Sequence, residues 1–243
     1  MSFPNFTNLR ALAEELGRNP KHAKLRAMIA QAWRAQSCLA DLRRAHESCE
    51  ALRSVLTGTK DDETPHQLTV QSALLNTAIG LYARATFTSA KHGERGSIEL
   101  DKAKLSSEQR ADHEALGNIR NQALAHVYSS NDFAKHSWHR DLFFAVETPT
   151  GRWKPASATN QAGYHLPSLE RLERMIPVAR QIILDKFQRR MSAVTRELNQ
   201  SEIPIKLFRK HQFDPVRAFG SAAAVQQVLA NAGSSDEAFW VNE

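Results

Sequence analysis

The sequence predicts a mainly α-helical protein: an antiparallel helical bundle of four to five long helices with a small β-hairpin insertion. Three observations lead to this fold class. The 243 residues include only 10 glycines and 9 prolines, the two residues least compatible with the interior of a helix. Aromatic residues make up only 7% of the chain, whereas alanine, leucine, arginine and glutamine are abundant, and this composition favours helix over sheet. Apolar residues also recur at helical spacing over several long stretches.

The helices are predicted from this spacing and from the residues that begin and end helices. A short first helix precedes Gly17, and Gly58 ends the long second helix. Ser106 or Ser107 is expected to cap the fourth helix, and Glu108 in its first turn suits the helix dipole. Pro167 opens the last long helix, which Pro177 is expected to kink. The expected helices cover residues 6–16, 21–56, 66–91, 107–128 and 167–199.

One segment between helices has a different character. Phe143, Phe144 and Val146 favour a strand, the Pro149-Thr150-Gly151 run favours a turn, and Trp153 starts a return strand. We therefore expect a β-hairpin insertion at about residues 140–166.

We expect one helical bundle domain over residues 1–200 and a partly irregular C-terminal extension over residues 201–243. A chain of this length with 42% hydrophobic residues can bury a full core. The helical pattern weakens after Ser201, although residues 222–230 keep a helical composition. The extension could dock on its own bundle, cross to another subunit or bind a partner.

Several classes of function have no support in the sequence. No apolar run is long enough to cross a membrane, and the N-terminus lacks the features of a signal peptide, so we expect a cytoplasmic protein without a membrane partner. Cys38 and Cys49 lie about 16 Å apart on a continuous helix, too far to bridge. The motifs of nucleotide-triphosphate, dinucleotide, serine-hydrolase and zinc-protease sites are missing. We expect neither a cofactor nor a metal.

The charge leaves a nucleic-acid partner open. A net charge of +6 is compatible with binding to RNA, and equally with an ordinary basic protein. The basic residues of the last helix alternate with acids, which favours a solvated face over a nucleic-acid track. These basic residues are Arg171, Arg174, Arg180, Lys186, Arg189, Arg190 and Arg196.

The most informative stretch reads GNIRNQALAHVYSS and runs from Gly117 to Ser130. At about 100° per residue, Leu116, Ile119, Ala123 and Val127 fall in one arc of a helix, which predicts a buried stripe. Arg120 projects between Val127 and Leu124 on this wheel, and His126 lies on the opposite shoulder, so both side chains flank the buried face. An arginine is rarely buried without a partner, so its position predicts a partner surface, a cleft or an anion.

The spacing of Arg120, Asn121 and His126 resembles the signature of the HEPN superfamily, in which an arginine and a polar residue are followed by a histidine after four to six residues. The run RNQALAH is also similar to that of its abortive-infection members. His126-Val127-Tyr128 resembles an extension found in HEPN toxins that are paired with nucleotidyltransferase antitoxins. The resemblance covers about residues 20–200 and implies a helical bundle.

The resemblance also implies a function, a metal-independent endoribonuclease in phage defence or a toxin-antitoxin system. His126 would move protons during attack of an RNA 2′-hydroxyl on the adjacent phosphate, which leaves a 2′,3′-cyclic phosphate. Arg120 would stabilise charge on the phosphoryl oxygens, and Asn121 would orient the phosphate or His126. Tyr128 is a candidate for substrate contact or modification. An antitoxin is a candidate partner protein.

Arg120 and His126 lie about 9 Å apart along one helix, so two copies could converge where one cannot, and we expect a homodimer through this helix. Two alternatives remain. The protein could be a non-catalytic helical dimer that binds a protein partner or a nucleotide through the same cleft. Alternatively, Arg120 could form an interhelical salt bridge while His126 makes a capping or core hydrogen bond.

Overall fold

The computed structural model describes residues 4–17, 19–56, 64–87, 95–121, 132–133, 136–137, 139–161 and 163–230. The mainly α fold with a small β-hairpin is confirmed. The helices are α1 (Leu9–Leu16), α2 (Ala23–Val55), α3 (Pro65–Thr86), α4 (Ser107–Ile119), α5 (Leu166–Gln200), α6 (Ile205–Lys210), α7 (Pro215–Phe219) and α8 (Ala222–Ala230). The strands are β1 (Phe6–Thr7), β2 (Asp132–Phe133), β3 (His136–Ser137), β4 (His139–Glu147), β5 (Trp153–Gln161) and β6 (Gln212–Phe213).

The start of α3 shows how local sequence sets a helix boundary. The side chain of Thr64 accepts a hydrogen bond from the backbone N–H of Gln67, and the side chain of Gln67 accepts one from the backbone N–H of Thr64. This reciprocal pair satisfies two donors that the first turn leaves free. Pro65 suits the first helical position because its missing N–H has no partner there. In α5, Pro177 lies inside a helix that continues to Gln200.

The chain forms two compact units, and α2 and α5 contribute to both. The first unit draws on Met1–Ala40, Ser89–Ile98 and Arg180–Glu243. Its core is a cluster of buried apolar side chains from α1, α2 and α5. The fully or almost fully buried members are Leu12, Leu16, Leu25, Ile29 and Val194.

The described part of the C-terminal extension belongs to this first unit and packs on its own chain. Strand β6 pairs antiparallel with β1, with Phe6 opposite Phe213. Phe219 completes a cluster of three edge-to-face rings with these two residues. Glu15 in α1 binds Lys210 and His211 at 2.8 and 2.6 Å. Of the three alternatives for the extension, the described residues therefore follow docking on its own bundle.

The second unit draws on Asp41–Thr88 and Glu99–Ala179. Its core brings together apolar residues from α2, α3, α4 and α5. The largest fully buried ones include Leu42, Leu52, Leu75, Ile79, Tyr82, Leu116, Ile119, Leu169 and Leu172. Arg53 and Glu173 add a two-pronged ion pair between α2 and α5, with both hydrogen bonds at 2.7 Å.

The predicted hairpin is formed by β4 and β5, with Glu147 opposite Trp153 at its closed end. Gly151 in the connecting turn has a φ of +73°, a conformation that glycine adopts without strain. No helix in the described part of the chain is long and apolar enough to span a bilayer.

Candidate functional site

Helix α4 carries the first part of the motif, and its start is fixed by the residues expected to cap it. Ser106 accepts a hydrogen bond from the backbone N–H of Gln109 at 3.2 Å, and Gln109 accepts one from the backbone N–H of Ser106 at 3.0 Å. Glu108 lies in the first turn, where the helix dipole favours a negative charge. These contacts confirm Ser106 as the cap.

Arg120 and Asn121 follow directly after α4, where the backbone takes a π-helical form. Single π-helical turns inside α-helices are frequent at functional sites. His126 and Tyr128, the other two motif residues, lie outside the described residues. The structure therefore brings together Arg120 and Asn121 and gives no geometry for the histidine or the tyrosine.

Both described motif side chains are exposed, which corrects the prediction that Arg120 lies on a buried stripe. The Nη1 atom of Arg120 donates a hydrogen bond to Oδ1 of Asn121 at 2.8 Å. A helical wheel gives only the direction of a side chain: Arg120 has α-helical dihedral angles (φ −56°, ψ −45°), yet at the end of α4 its long charged side chain can extend past the packed face into solvent. The Arg120 guanidinium therefore needs no buried partner and can meet a ligand from solvent.

Two residues of the predicted stripe are described and are buried as expected, whereas Ala123 and Val127 lie outside the described residues. Leu116 and Ile119 have no exposed surface. Gly117 allows α4 to approach Phe87 closely, since a Cβ atom at this position would lie 2.8 Å from the Phe87 ring. The chain itself covers this face of α4, so a homodimer through the motif helix would have to use the exposed side that carries Arg120 and Asn121.

A buried histidine on α4 was missed by sequence reasoning. His113 is almost fully buried, and its Nδ1 shares a hydrogen bond of 2.8 Å with the hydroxyl of Tyr82 on α3. Phe87 stacks on the His113 ring, with ring centroids 4.1 Å apart and planes at 13°. No signal in the sequence links residues 82, 87 and 113, because their contacts depend on how α3 and α4 pack. The three rings fix α4 and hence the start of the motif.

Burial lowers the pKa of His113 to about 4, and the nearby positive charge of Lys102 acts in the same direction. Burial, followed by the charge of Asp112, raises the pKa of Tyr82 well above its usual range. Both groups are therefore neutral near pH 7 and closed to solvent. This pair holds the helices together and does not transfer protons to a substrate.

A second set of contacts fixes α4 against α5. Asp112 is buried and accepts a hydrogen bond from Nε of Arg174 at 2.8 Å. Nε of Arg171 lies 3.3 Å from the other Asp112 oxygen. Arg171 and Arg174, which we expected on a solvated face, therefore position the helix that leads to Arg120.

We expect stability to fall as the pH drops through the window set by His113. The unfolded histidine has its ordinary pKa of about 6.5, whereas the folded one has a pKa of about 4. Between these values the unfolded state binds a proton that the folded state excludes, so protonation favours unfolding. The free energy of unfolding should decrease by up to about 3 kcal/mol from pH 6.5 to pH 4, and urea unfolding at several pH values measures it.

The matched control for this prediction is His113→Gln. This variant loses a titrating group, so its free energy of unfolding should change less than that of the wild type over the same pH range. Glu15, Glu114 and Glu173 have lowered pKa values and lose their stabilising charge mainly below about pH 4.5. Equal pH dependence for the wild type and His113→Gln between pH 6.5 and 5 would rule out the buried neutral histidine.

The donor set at the motif suits an anion better than a metal. Arg120 offers N–H donors, and Asn121 contributes an amide that orients them. In the part of the chain that the structure describes, no three histidine, cysteine, aspartate or glutamate side chains converge to hold a metal ion. Cys38 and Cys49 are buried and form no disulfide, and burial raises the pKa of Cys49 to about 12.

Comparison of the chain with protein-family models, with curated proteins and with solved structures gives no significant match.

Proposed function

We propose that the protein is a metal-independent endoribonuclease whose site contains Arg120, Asn121 and His126. The observation that supports this proposal is the exposed guanidinium of Arg120, held by Asn121 at 2.8 Å next to a firmly packed helix. A planar guanidinium held in one orientation binds two phosphate oxygens at once. The spacing to His126 and the resemblance to HEPN proteins supply the rest of the argument, including a role in phage defence or a toxin-antitoxin system.

The proposed reaction needs one proton acceptor, one proton donor and one stabiliser of negative charge. The 2′-oxygen of the RNA forms a bond to phosphorus, and the bond from phosphorus to the 5′-oxygen breaks. His126 accepts the proton of the 2′-hydroxyl, and the 5′-oxygen gains a proton from an imidazolium or from water. Arg120 stabilises the charge on the phosphoryl oxygens. The products carry a 2′,3′-cyclic phosphate and a 5′-hydroxyl, and no cofactor takes part.

In the proposed mechanism, a homodimer brings Arg120 and His126 to the same phosphate. Six residues of continuous helix separate two side chains by about 9 Å along the axis, which is far for one phosphate. Two copies related by a two-fold axis could place Arg120 of each beside His126 of the other. The exposed side of the helix end leaves Arg120 accessible for such an arrangement.

The experiment is incubation of the purified protein with mixed RNA in EDTA, in parallel with Arg120→Ala and Arg110→Ala. Arg110 is also exposed on α4 but lies outside the motif, so it is the matched control. We expect the wild type and Arg110→Ala to cleave equally and Arg120→Ala to cleave about 10²- to 10³-fold more slowly. Equal cleavage by all three proteins would assign the activity to a contaminant and refute the site.

A second candidate function, a protein-binding module, is favoured by one observation on the hairpin. Phe143 and Trp153 are 85% and 68% exposed, and Leu142, Phe144 and Val146 are each more than 40% exposed. Successive residues of a strand point to opposite faces, so both faces of this two-stranded sheet carry apolar side chains. Isolated hairpins are only marginally stable, and large exposed apolar patches mark interaction sites.

The two edges of the hairpin also differ. Thr148 donates its backbone N–H to the carbonyl oxygen of Arg152 at 2.7 Å. Along an antiparallel pair, residues whose backbone N–H and C=O point toward the partner strand alternate with residues whose N–H and C=O point away from it. By this alternation, the backbone groups of residue 155 point away from β4, and Pro155 has no N–H to donate there. The outer edge of β5 is therefore interrupted, whereas that of β4 has its donors and can accept another strand.

We expect the double variant Phe143→Ser/Trp153→Ser to associate at least about tenfold more weakly with itself or with a partner, because exposed aromatic anchors carry much of the energy of an interface. Its melting temperature should stay close to that of the wild type, since both side chains are exposed. Sedimentation over a range of concentrations measures self-association. Ile205→Ser is the control, because Ile205 is 65% exposed outside the hairpin. If association weakened equally in the double variant and in Ile205→Ser, the hairpin would have no specific role in binding.

A further inference from the structure

Three arginines lie along one side of α2 in the first unit, over nearly two helical turns. Nη1 of the half-buried Arg190 on α5 donates a hydrogen bond of 2.9 Å to the carbonyl oxygen of Gln31. Gln31 lies three residues before Arg34, so both face the same side of α2. Three residues further along α2, the side chain of Ser37 accepts a hydrogen bond of 2.8 Å from Nη1 of Arg95. The guanidinium groups of Arg34, Arg95 and Arg190 therefore lie along this side of α2 between residues 31 and 37.

No carboxylate among the described residues neutralises the charge of Arg34 or Arg190. The Nε atom of Arg34 is buried, and no acceptor in the described chain bonds to it. Arg190 bonds to a neutral carbonyl, and its neighbour Arg189 bonds to the carbonyl of Asp185 on its own helix. Among the described residues, no carboxylate lies within 4 Å of Arg34, Arg189 or Arg190. A buried charged donor without an acceptor costs free energy that a bound anion would recover.

The electrostatics agree with this geometry. Burial lowers the pKa of Arg190, and the positive charge of Arg34 lowers it further. The two guanidinium groups thus repel each other in a partly buried setting. An anion placed between them would turn this repulsion into two attractions.

We propose that Arg34 and Arg190, with Arg95 beside them, form a binding site for a phosphate group. The planar fork of each guanidinium matches two phosphate oxygens, and several such forks suit a tetrahedral anion. The proposal does not depend on RNA cleavage at Arg120. The phosphate can belong to a free anion or mononucleotide, or to the backbone of RNA.

The experiment measures binding of inorganic phosphate and of a 2′-O-methyl oligonucleotide, which lacks the hydroxyl needed for cleavage. Calorimetric titrations use the wild type, Arg34→Gln, Arg190→Gln, Arg190→Lys and Arg196→Gln. Arg196→Gln is the matched control, because Arg196 is exposed on the same helix and its loss changes the net charge equally. We expect at least tenfold weaker binding in Arg34→Gln and Arg190→Gln, weaker binding in Arg190→Lys, which keeps the charge without the fork, and no change in Arg196→Gln.

The two probes identify the source of the phosphate. If the variants weaken the binding of both probes, the site accepts an RNA backbone. In that case the slope of log K against log salt concentration for the oligonucleotide should fall by about one unit for each lost phosphate contact. If the variants weaken only the binding of inorganic phosphate, the site binds a free anion or mononucleotide. Undiminished binding of both probes in Arg34→Gln and Arg190→Gln, or no measurable binding to the wild type, overturns the proposal.

Melting temperatures without ligand separate this role from a structural one. Because glutamine removes a repelling charge, Arg34→Gln and Arg190→Gln should melt at or above the wild-type temperature in phosphate-free buffer. In saturating phosphate, only the wild type and Arg196→Gln should gain stability. A lower melting temperature for both glutamine variants in phosphate-free buffer would mean that the arginines serve the fold, and it would also count against the proposal.

Discussion

Arg120→Ala should reduce RNA cleavage by about 10²- to 10³-fold, because it removes a held donor from the developing charge on the phosphate. His126→Ala should cause a loss of about 10²- to 10⁴-fold, the range for a positioned acid or base. Arg120→Lys should also be impaired, since lysine keeps the charge but not the two-pronged geometry. Because Arg120 is exposed, its replacement should leave the melting temperature almost unchanged.

The same preparations test the competing structural role of the motif. If Arg120 and His126 only stabilised the fold, their replacement would lower the melting temperature by several degrees and leave any nuclease signal unchanged. Asn121→Ala gives an intermediate case, because it frees Arg120 from its 2.8 Å hydrogen bond without removing the guanidinium. We expect a smaller loss of cleavage for Asn121→Ala than for Arg120→Ala. Stable variants with full activity would refute the catalytic assignment.

Tyr82→Ala should lower the free energy of unfolding by about 3 to 5 kcal/mol, the range for truncation of a large buried ring. Tyr82 has no exposed surface, and its ring contacts Phe87 and His113 edge to face. Tyr82→Phe should cost about 1 to 3 kcal/mol, because it keeps the ring but leaves Nδ1 of the buried His113 without its 2.8 Å partner. Urea unfolding followed by circular dichroism measures both values.

Tyr164→Phe is the control for loss of a hydroxyl group. Tyr164 is half-buried next to the start of α5, outside the contacts between α3 and α4. This change should alter the free energy of unfolding by less than about 0.5 kcal/mol, as is usual away from buried polar pairs. If Tyr82→Phe were as stable as the wild type, the hydrogen bond to His113 would not hold α4.

The long helices and the caps of α3 and α4 could be predicted because their signals are local. Thr64, Pro65 and Ser106 act within four residues of the boundary that they set. The exposure of Arg120 could not be predicted from the same periodicity, since the wheel gives the direction of a side chain and not whether a long charged side chain at a helix end reaches solvent. The arginine next to a polar residue is the signal that led to the proposed site, but it does not determine whether the side chain is buried or exposed.

Contacts between residues far apart in the chain were beyond the reach of the sequence. The helical spacing of α2 continues over 33 residues without showing that its two halves join different units. The pairing of Phe6 with Phe213 and the contact between Tyr82 and His113 depend on packing that no local pattern encodes. The alternation of charges on α5 suggested a solvated face, although Arg174 binds the buried Asp112 and Arg190 packs against α2.

The chemistry of the cleaved ends in EDTA is the most direct test of the proposed ribonuclease. Mass spectrometry of the products from a short RNA, with the wild type and Arg120→Ala in parallel, identifies the group on the new 3′ end. We expect a 2′,3′-cyclic phosphate and a 5′-hydroxyl with the wild type, no cleavage of the same RNA carrying a 2′-deoxy sugar at the cut position, and at least about 10²-fold less product with Arg120→Ala. New ends with a 3′-hydroxyl, or equal yields of product from both proteins, would contradict 2′-hydroxyl attack at this site.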